Sequence, residues 1–299
     1  MLVYIHRHSS FAGKWIYNGY AHAWAYLDHQ VKFIDSLDEI NTPEKYKVFC
    51  TEGLVNHSNF DKIQKSYCTF LYCQPNEFPQ PWGSHPNYQC HVDIDLIDKL
   101  NNTGNIIKWT FGSELKHHTR WKNVISMPLA FDNINYSIRV ENNYAYDICF
   151  IGNNVDNGLS EKIPIMNTVL GAFVESGLKC GFSVGQNIPH DTENEVMIRS
   201  KVCLNIHDAY QRVLGYDSNE RTFKSLGING ILVCDEVKQV KNLFPDVFLS
   251  NDPKKLIEKT KEYCNLKTED LNSLKRNNVD YIENNHTYIK RVEKFLSLI

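Results

Sequence analysis

Short apolar runs alternate with amphipathic stretches along nearly the whole chain, and the alternation breaks once, at residues 128–146, where the sequence turns polar and Asn-rich without any period. Apolar runs of four to eight residues separated by helical patterns are the mark of parallel sheets with crossover helices. Before the break, strands are predicted at 2–6, 31–34, 47–50, 68–73, 106–110 and 124–127, with helices at 18–29, where Tyr20, Trp24 and Leu27 share one face, and at 92–100. After it, strands are predicted at 147–151, 179–182, 202–206, 230–234 and 247–249. The helices of this half are predicted at 163–176, 194–199, 219–226, 253–263 and 268–284. The expected architecture is α/β, with two Rossmann-like doubly wound domains, 1–130 and 145–284, facing a cleft. A closing helix near 285–299, with Tyr288, Val292, Phe295 and Ile299 on one side, is expected to pack back on the first domain.

The 299 residues are 42% hydrophobic and 22% charged with a net charge of -3, which excludes disordered, collagenous and coiled-coil chains. No global basic field is available to attract nucleic acid or an anionic membrane. No apolar run approaches the roughly 20 residues that span a bilayer, and the polar start at His6-Arg7 does not suit a signal peptide, so a cytoplasmic protein is expected. The nine cysteines are odd in number and lack any C-x-x-C, so reduced, mostly buried thiols are expected rather than a disulfide or zinc framework.

The most informative stretch runs from Val202-Cys203-Leu204-Asn205-Ile206-His207 through a polar loop, 208–217, into Ser218-Asn219-Glu220-Arg221-Thr222-Phe223 and Gly227-x-x-Gly230. A strand, a loop and a helix opening on Ser218 and Asn219 aim free backbone N–H groups at an anion, and a diphosphate suits that geometry. The alternative is that Ser218 caps a surface helix and Arg221 is solvated. Gly152-Asn153 follows another strand, where a glycine lets a ligand approach the backbone. Gly185–His190 by itself reads as a plain surface turn.

In the first half, the loop at 9–14 with Gly13 follows the first strand, and His22 on the next helix is either a base or sugar contact or a packed histidine. The Pro-rich loop at 73–86 carries Trp82, suited to stacking on a sugar or to packing on its own domain. Glu114, His117 and His118 follow a further strand; a metal is not expected there, because no second carboxylate or histidine stands at ligand spacing. Asp93-Ile94-Asp95 has the form of a metal-binding D-x-D but reads as a solvated helix face.

VCLNIH, N-x-R-x-F at 219–223, Gly230 before ILVC, Leu243-Phe244 ahead of FLSNDPKKL, and HTYIKRVEKFL together resemble the C-terminal domain of nucleotide-sugar glycosyltransferases of the GT-B architecture, in the spore-maturation-type branch of the group-one glycosyltransferases. MPLAFD and YDICFIGNN look like the linker and first C-domain strand of that family. The resemblance covers residues 124–299; residues 1–123 match in element order only. It implies a metal-independent transferase with no cofactor beyond a nucleoside-diphosphate sugar as co-substrate, slightly favouring retention. The implied acceptor is a glycan, another hydroxyl-bearing substrate, or a modified DNA base as in some phage enzymes. Donor binding is implied at Gly152, Asn153, Asn187, Ile188, Asp217, Ser218, Asn219, Glu220, Arg221, Thr222 and position 224. Catalysis is implied at Arg221, His22 and Glu114, with sugar or acceptor contacts at Gly13, Trp82, His117 and His118. The family has an acidic residue where this chain has Lys224, and a lysine cannot accept hydrogen bonds from a ribose. Lys224 is expected as a solvated residue paired with Glu220 on the helix surface, or else as a cation facing an anion of the donor.

Overall fold

In the middle of the first strand series Val48, Phe49 and Cys50 are all fully buried, as are Phe70 and Leu71. Consecutive strand residues face opposite ways, so such runs sit in a sheet covered on both sides. The computed structural model describes residues 1–85, 88, 90–136, 143–154, 159–186 and 188–299, and the chain divides into two compact units, Met1–Pro128 with Tyr288–Ile299, and Leu129–Thr287.

The first unit contains β1 (Leu2–His6), α1 (Phe11–Tyr26), β2 (Gln30–Ile34), β3 (Tyr46–Thr51), α2 (Phe60–Lys65), β4 (Cys68–Tyr72), α3 (Ile94–Asn102), β5 (Ile106–Thr110) and β6 (Ile125–Ser126). Its sheet is parallel in the order β2-β1-β3-β4-β5-β6. The second unit contains β7 (Tyr146–Gly152), α4 (Lys162–Glu175), β8 (Cys180–Val184), α5 (His190–Ile198), β9 (Ser200–Asn205), α6 (Ala209–Leu214), α7 (Glu220–Ile228), β10 (Leu232–Cys234), α8 (Lys238–Leu243), β11 (Phe248–Leu249), α9 (Pro253–Cys264) and α10 (Thr268–Asn285). This sheet is also parallel, in the order β11-β10-β9-β7-β8. The last helix, α11 (Tyr288–Leu296), belongs to the first unit.

One face of the first sheet carries α1 and α11 on an aromatic layer. Phe295, fully buried, lies 5.0 Å from Phe70, 5.4 Å from Trp109 and 5.9 Å from Phe49 between ring centres. Arg291 Nε donates to the Pro128 carbonyl at 2.8 Å, which fixes the helix start. The opposite face packs Ile63 of α2 and Leu96, Ile97 and Leu100 of α3 against Tyr4, Val48, Cys50 and Leu71. In the second unit Ile148, Phe150, Val202, Leu204 and Val233 meet Met166, Val169 and Phe173 of α4 and Leu256 of α9.

Three short helices, α2, α6 and α8, were not expected, and α1 starts seven residues before the predicted 18. Ser10 accounts for the early start: its hydroxyl accepts the Gly13 N–H at 3.0 Å as an N-cap, so the stretch 11–14 is helix and not loop. The α6 segment lies within the expected polar loop 208–217. Asp208 and Gln211 form a capping box at its start, and Gly215 ends it at φ 62°, a left-handed geometry that a side chain disfavours. Asp93 and Asp95 are exposed, with Asp93 3.7 Å from His57. All nine cysteines are free. Among the described residues no helix is long and apolar enough to cross a membrane.

Beyond β3, Glu52 is 4% exposed, and its Oε1 accepts the Gln74 N–H at 3.1 Å while Oε2 has no hydrogen-bond partner. Burial raises its carboxyl from 4.5 to about 7. A raised folded value favours the neutral acid, so this contribution to stability is full below pH 4.5 and is lost as pH rises through about 7. Denaturant titrations across this range should show the wild type losing on the order of 3 kcal/mol relative to Glu52→Gln, at roughly 1.36 kcal/mol per pH unit. Parallel curves for the two proteins would place the carboxyl in water.

Candidate functional site

In the second sheet the chain leaves β7 toward β8 on one side and returns at β9 on the other, so the carboxyl ends of β7 and β9 flank a crevice where the strand order reverses. Gly152 ends β7 and Asn205 ends β9. Arg221, in the first turn of α7, bridges them. Its Nη1 donates to Asn205 Oδ1 at 3.0 Å and approaches the Ile206 carbonyl at 3.5 Å, and its guanidinium carbon lies 4.7 Å from the centre of the Phe150 ring. A Cβ on Gly152 would collide with the guanidinium, so the bare Cα is what lets the arginine lie across the strand end. Burial lowers the Arg221 pKa, a cost offset by this ring and by nearby acidic groups, of which Asp208 contributes most.

The start of α7 is built from polar contacts. Asn219, not Ser218, caps it: the Asn219 carboxamide oxygen accepts the Thr222 N–H at 3.3 Å. Ser218 is turned inward, donating its N–H and hydroxyl to Gln239 Oε1 at 2.8 and 3.0 Å. Asp217 accepts from Gln211 Nε2 at 3.0 Å, and burial raises its carboxyl to about 6. A second cation borders the crevice: Lys162, at the start of α4, pairs with Asp208 at 2.7 Å. Asn153 is exposed and Ile188 half-buried; Asn187 lies outside the described residues.

Lys224 is 8% exposed, so the solvated reading does not hold. The Glu220 partner expected at i−4 is present at 3.8 Å, but the nearer one is Glu193 of α5, 3.2 Å away through both carboxylate oxygens, and the ammonium lies 5.0 Å from the centre of the Tyr136 ring. Burial raises the Glu220 carboxyl, and Lys224 opposes that rise.

The first sheet reverses between β1 and β3, and His6 Nδ1 lies 3.3 Å from the Thr51 hydroxyl across that point. The ring of Tyr17 is 5.7 Å from both His6 and His8. The Ser10 N–H donates to His8 Nδ1 at 3.1 Å, which makes Nδ1 the acceptor. Burial lowers His6 to about 4 and lowers His8 as well, so both rings are neutral near pH 7. Gly13 faces the His8 ring closely, where a Cβ would clash. His22 sits three turns into α1 rather than at its start, about 16 Å along the axis from Phe11. Trp82 is 6% exposed, so its indole is packed into its own unit and not presented for stacking. Glu114 and His117 stand at the carboxyl side of β5, with His117 5.1 Å from Phe78. His118 is buried, donates from Nε2 to the Cys73 carbonyl at 3.1 Å and is lowered to about 4, the behaviour of a tether between loops.

Asn205, His207, Asp235 and Lys162 were not singled out as site residues from sequence. The signal for two of them was present in the end of VCLNIH, where Asn205 and His207 close an otherwise apolar run. His207, Cys234 and Asp235 place ligand-type atoms within 4.8 Å of one another. Asp235 already accepts both the backbone and ring N–H of His207 and lies 3.4 Å from Arg212, so hydrogen bonds account for that cluster.

A model of the family described as glycosyl transferase-like matches residues 158–297. None of the curated proteins matches the chain. Among solved structures, T4 phage β-glucosyltransferase is similar with a TM-score of 0.56 at 11% identity, covering 98% of this chain and 96% of its own. An α-glucosyltransferase solved with UDP and a 13-mer DNA carrying a central A:G mismatch gives 0.60 at 10% identity, covering 99% and 98%. Trehalose-6-phosphate synthase gives 0.55 at 11%, covering 94% and 78%. Residues 158–297 thus match the glycosyl transferase-like family, and the two parallel sheets with their flanking helices have the fold of GT-B glycosyltransferases.

Proposed function

We propose that the protein is a cytoplasmic, metal-independent glycosyltransferase that moves a sugar from a nucleoside diphosphate to an acceptor hydroxyl. The observation that carries this reading is the placement of Arg221 across Gly152 at the β7/β9 reversal, beside Lys162 and the start of α7; Arg221, Lys162 and α7 lie inside the region of the family match. The Nε and Nη2 donors of Arg221 have no acceptor among the described residues. In the proposed reaction the bond between the anomeric carbon and the diphosphate breaks, and its electron pair leaves with the diphosphate. A new bond forms to the acceptor oxygen, which gives up its proton. Arg221, Lys162 and the α7 N-terminus would meet the charge that grows on the leaving group. The neutral imidazoles and hydroxyls at the β1/β3 reversal suit an uncharged hydroxyl acceptor, on a glycan or on a modified DNA base. Placement in the spore-maturation-type branch, and retention at the anomeric carbon, belong to the same reading and rest on the motif order of residues 124–299.

The test is titration with UDP-glucose and release of UDP, with and without acceptor. Arg221→Ala should lower turnover on the order of 10²–10³-fold, the scale of a lost oxyanion donor, in a chain that still unfolds cooperatively. Wild-type turnover in that variant would move the diphosphate site elsewhere. Chelator should leave the rate unchanged; loss of activity restored by Mn²⁺ or Mg²⁺ would overturn metal independence.

A catalytically silent sugar-nucleotide or glycan binder is the alternative, and the observation behind it is Lys224, engaged by two carboxylates where the family places an acid. Donor binding without turnover would favour it. Lys224→Glu, far from restoring a useful acid, sets a third carboxylate beside Glu193 and Glu220, and should cost about 3–5 kcal/mol in urea unfolding. An unchanged midpoint would return this side chain to solvent.

A further inference from the structure

The buried hydrogen bonds leading away from Arg221 run in one direction only, and that direction is fixed at both ends. A guanidinium only donates, so the Asn205 atom 3.0 Å from Arg221 Nη1 is the carboxamide oxygen. The Asn205 amide nitrogen is thereby turned to the other side. There its two N–H groups donate to Asn219 Oδ1 at 2.7 Å and Thr222 Oγ1 at 2.9 Å, and the Thr222 hydroxyl lies 3.1 Å from His207 Nε2. The Thr222 oxygen accepts from Asn205, so its own proton is free to be donated to Nε2, and Nε2 is the acceptor. The ring proton then sits on Nδ1, which donates to Asp235 Oδ1 at 2.6 Å. Asp235 is held in turn by the His207 backbone N–H at 3.0 Å and by Arg212 at 3.4 Å. Asn205, His207 and Thr222 are fully buried and Asp235 is 2% exposed, so water cannot substitute for a missing partner.

We propose that His207 is a positioning residue for the diphosphate site. Held in one tautomer by Asp235, it accepts from the Thr222 hydroxyl and so turns the Thr222 lone pairs to the Asn205 amide, whose oxygen faces Arg221 and aims the guanidinium across Gly152. This rests on reading the surroundings of Arg221 as that site. Removing the Nε2 acceptor leaves the buried Thr222 hydroxyl proton to seek another partner, and Asn205 keeps Asn219 as its one firm acceptor, which loosens the carboxamide that holds the guanidinium.

UDP affinity by calorimetry and the ring ¹⁵N shifts of His207 test the proposal in the full-length protein. The wild type should show protonated Nδ1 and unprotonated Nε2. His207→Asn keeps the donor toward Asp235 and loses the acceptor, and should weaken UDP binding about tenfold, within the range of coupled neighbours. His207→Gln, whose amide oxygen can reach the Nε2 position, should recover most of that loss. In an Arg221→Ala background His207→Asn should have almost no further effect, whereas a merely structural histidine would weaken both backgrounds equally. Equal losses in the two backgrounds, or a protonated Nε2, would overturn this role in a wild type that binds UDP. A wild type that binds no UDP would overturn the reading of the site as well.

Discussion

Because every strand pair in both sheets is parallel, each strand is followed by a crossover, and all strand ends of one kind gather along one edge of the sheet. Gly152 and Asn205 are 53 positions apart in sequence yet end neighbouring strands, because Cys149 and Cys203 lie side by side in the β7/β9 register. A loop that leaves such an edge has no strand partner beyond it, so its backbone and side chains are available to a ligand. Helices that start there also point their N–H groups outward. The polar chemistry of the molecule is concentrated where pairing stops, and the apolar layers behind it hold the strand ends in place.

How much of this is legible in the sequence depends on whether the cause is local. The strands 2–6 and 106–110 are as expected because their apolar runs end at chain breaks in pattern, and α4, α9 and α10 fall within two residues of the predicted ends because their faces are periodic. The start of α1 was missed although its signal is local: Ser10 and Gly13 make a capping pair, and a glycine near a helix start reads as loop without it. The α6 helix was hidden by the polarity of its residues, though Asp208 and Gly215 mark both ends. What no local pattern carries is partnership. His207 meets Asp235 28 residues away, and Lys224 meets Glu193 31 residues away, and in each case the meeting decides what the residue does. Read alone, Lys224 was a surface lysine with a neighbour one turn back.

Burial turns such meetings into requirements. A cation at 8% exposure is tolerable because Glu193, Glu220 and the face of Tyr136 surround it, and any one of them is worth more there than on a solvated helix. Lys275 shows the same logic on α10, where that helix meets the start of β9. Its ammonium is 2% exposed and donates to the Ser200 carbonyl at 2.6 Å, beside the Tyr144 ring, and burial still brings it down to about 8. Among the described residues that position has a hydrogen bond but no carboxylate partner.

The two strand reversals share a topology and differ in charge, and the difference follows from what each sequence places at the strand ends. At β7/β9 the side chains are Arg221, held by Asn205 and the Phe150 face, and Lys162, held by Asp208. At β1/β3 they are His6, His8, Thr51 and Tyr17, and there burial outweighs the pull of Asp35 on His6, so the imidazoles lose their protons and the rim becomes neutral. A fixed cation flanked by backbone N–H groups is matched to a phosphate. A neutral rim of ring nitrogens and hydroxyls, each able to donate or accept, is matched to an alcohol and gives a phosphate no charge to pair with. One fold, used twice, thus presents a charged rim at one reversal and a neutral one at the other, according to which residues its sequence sets at the strand ends.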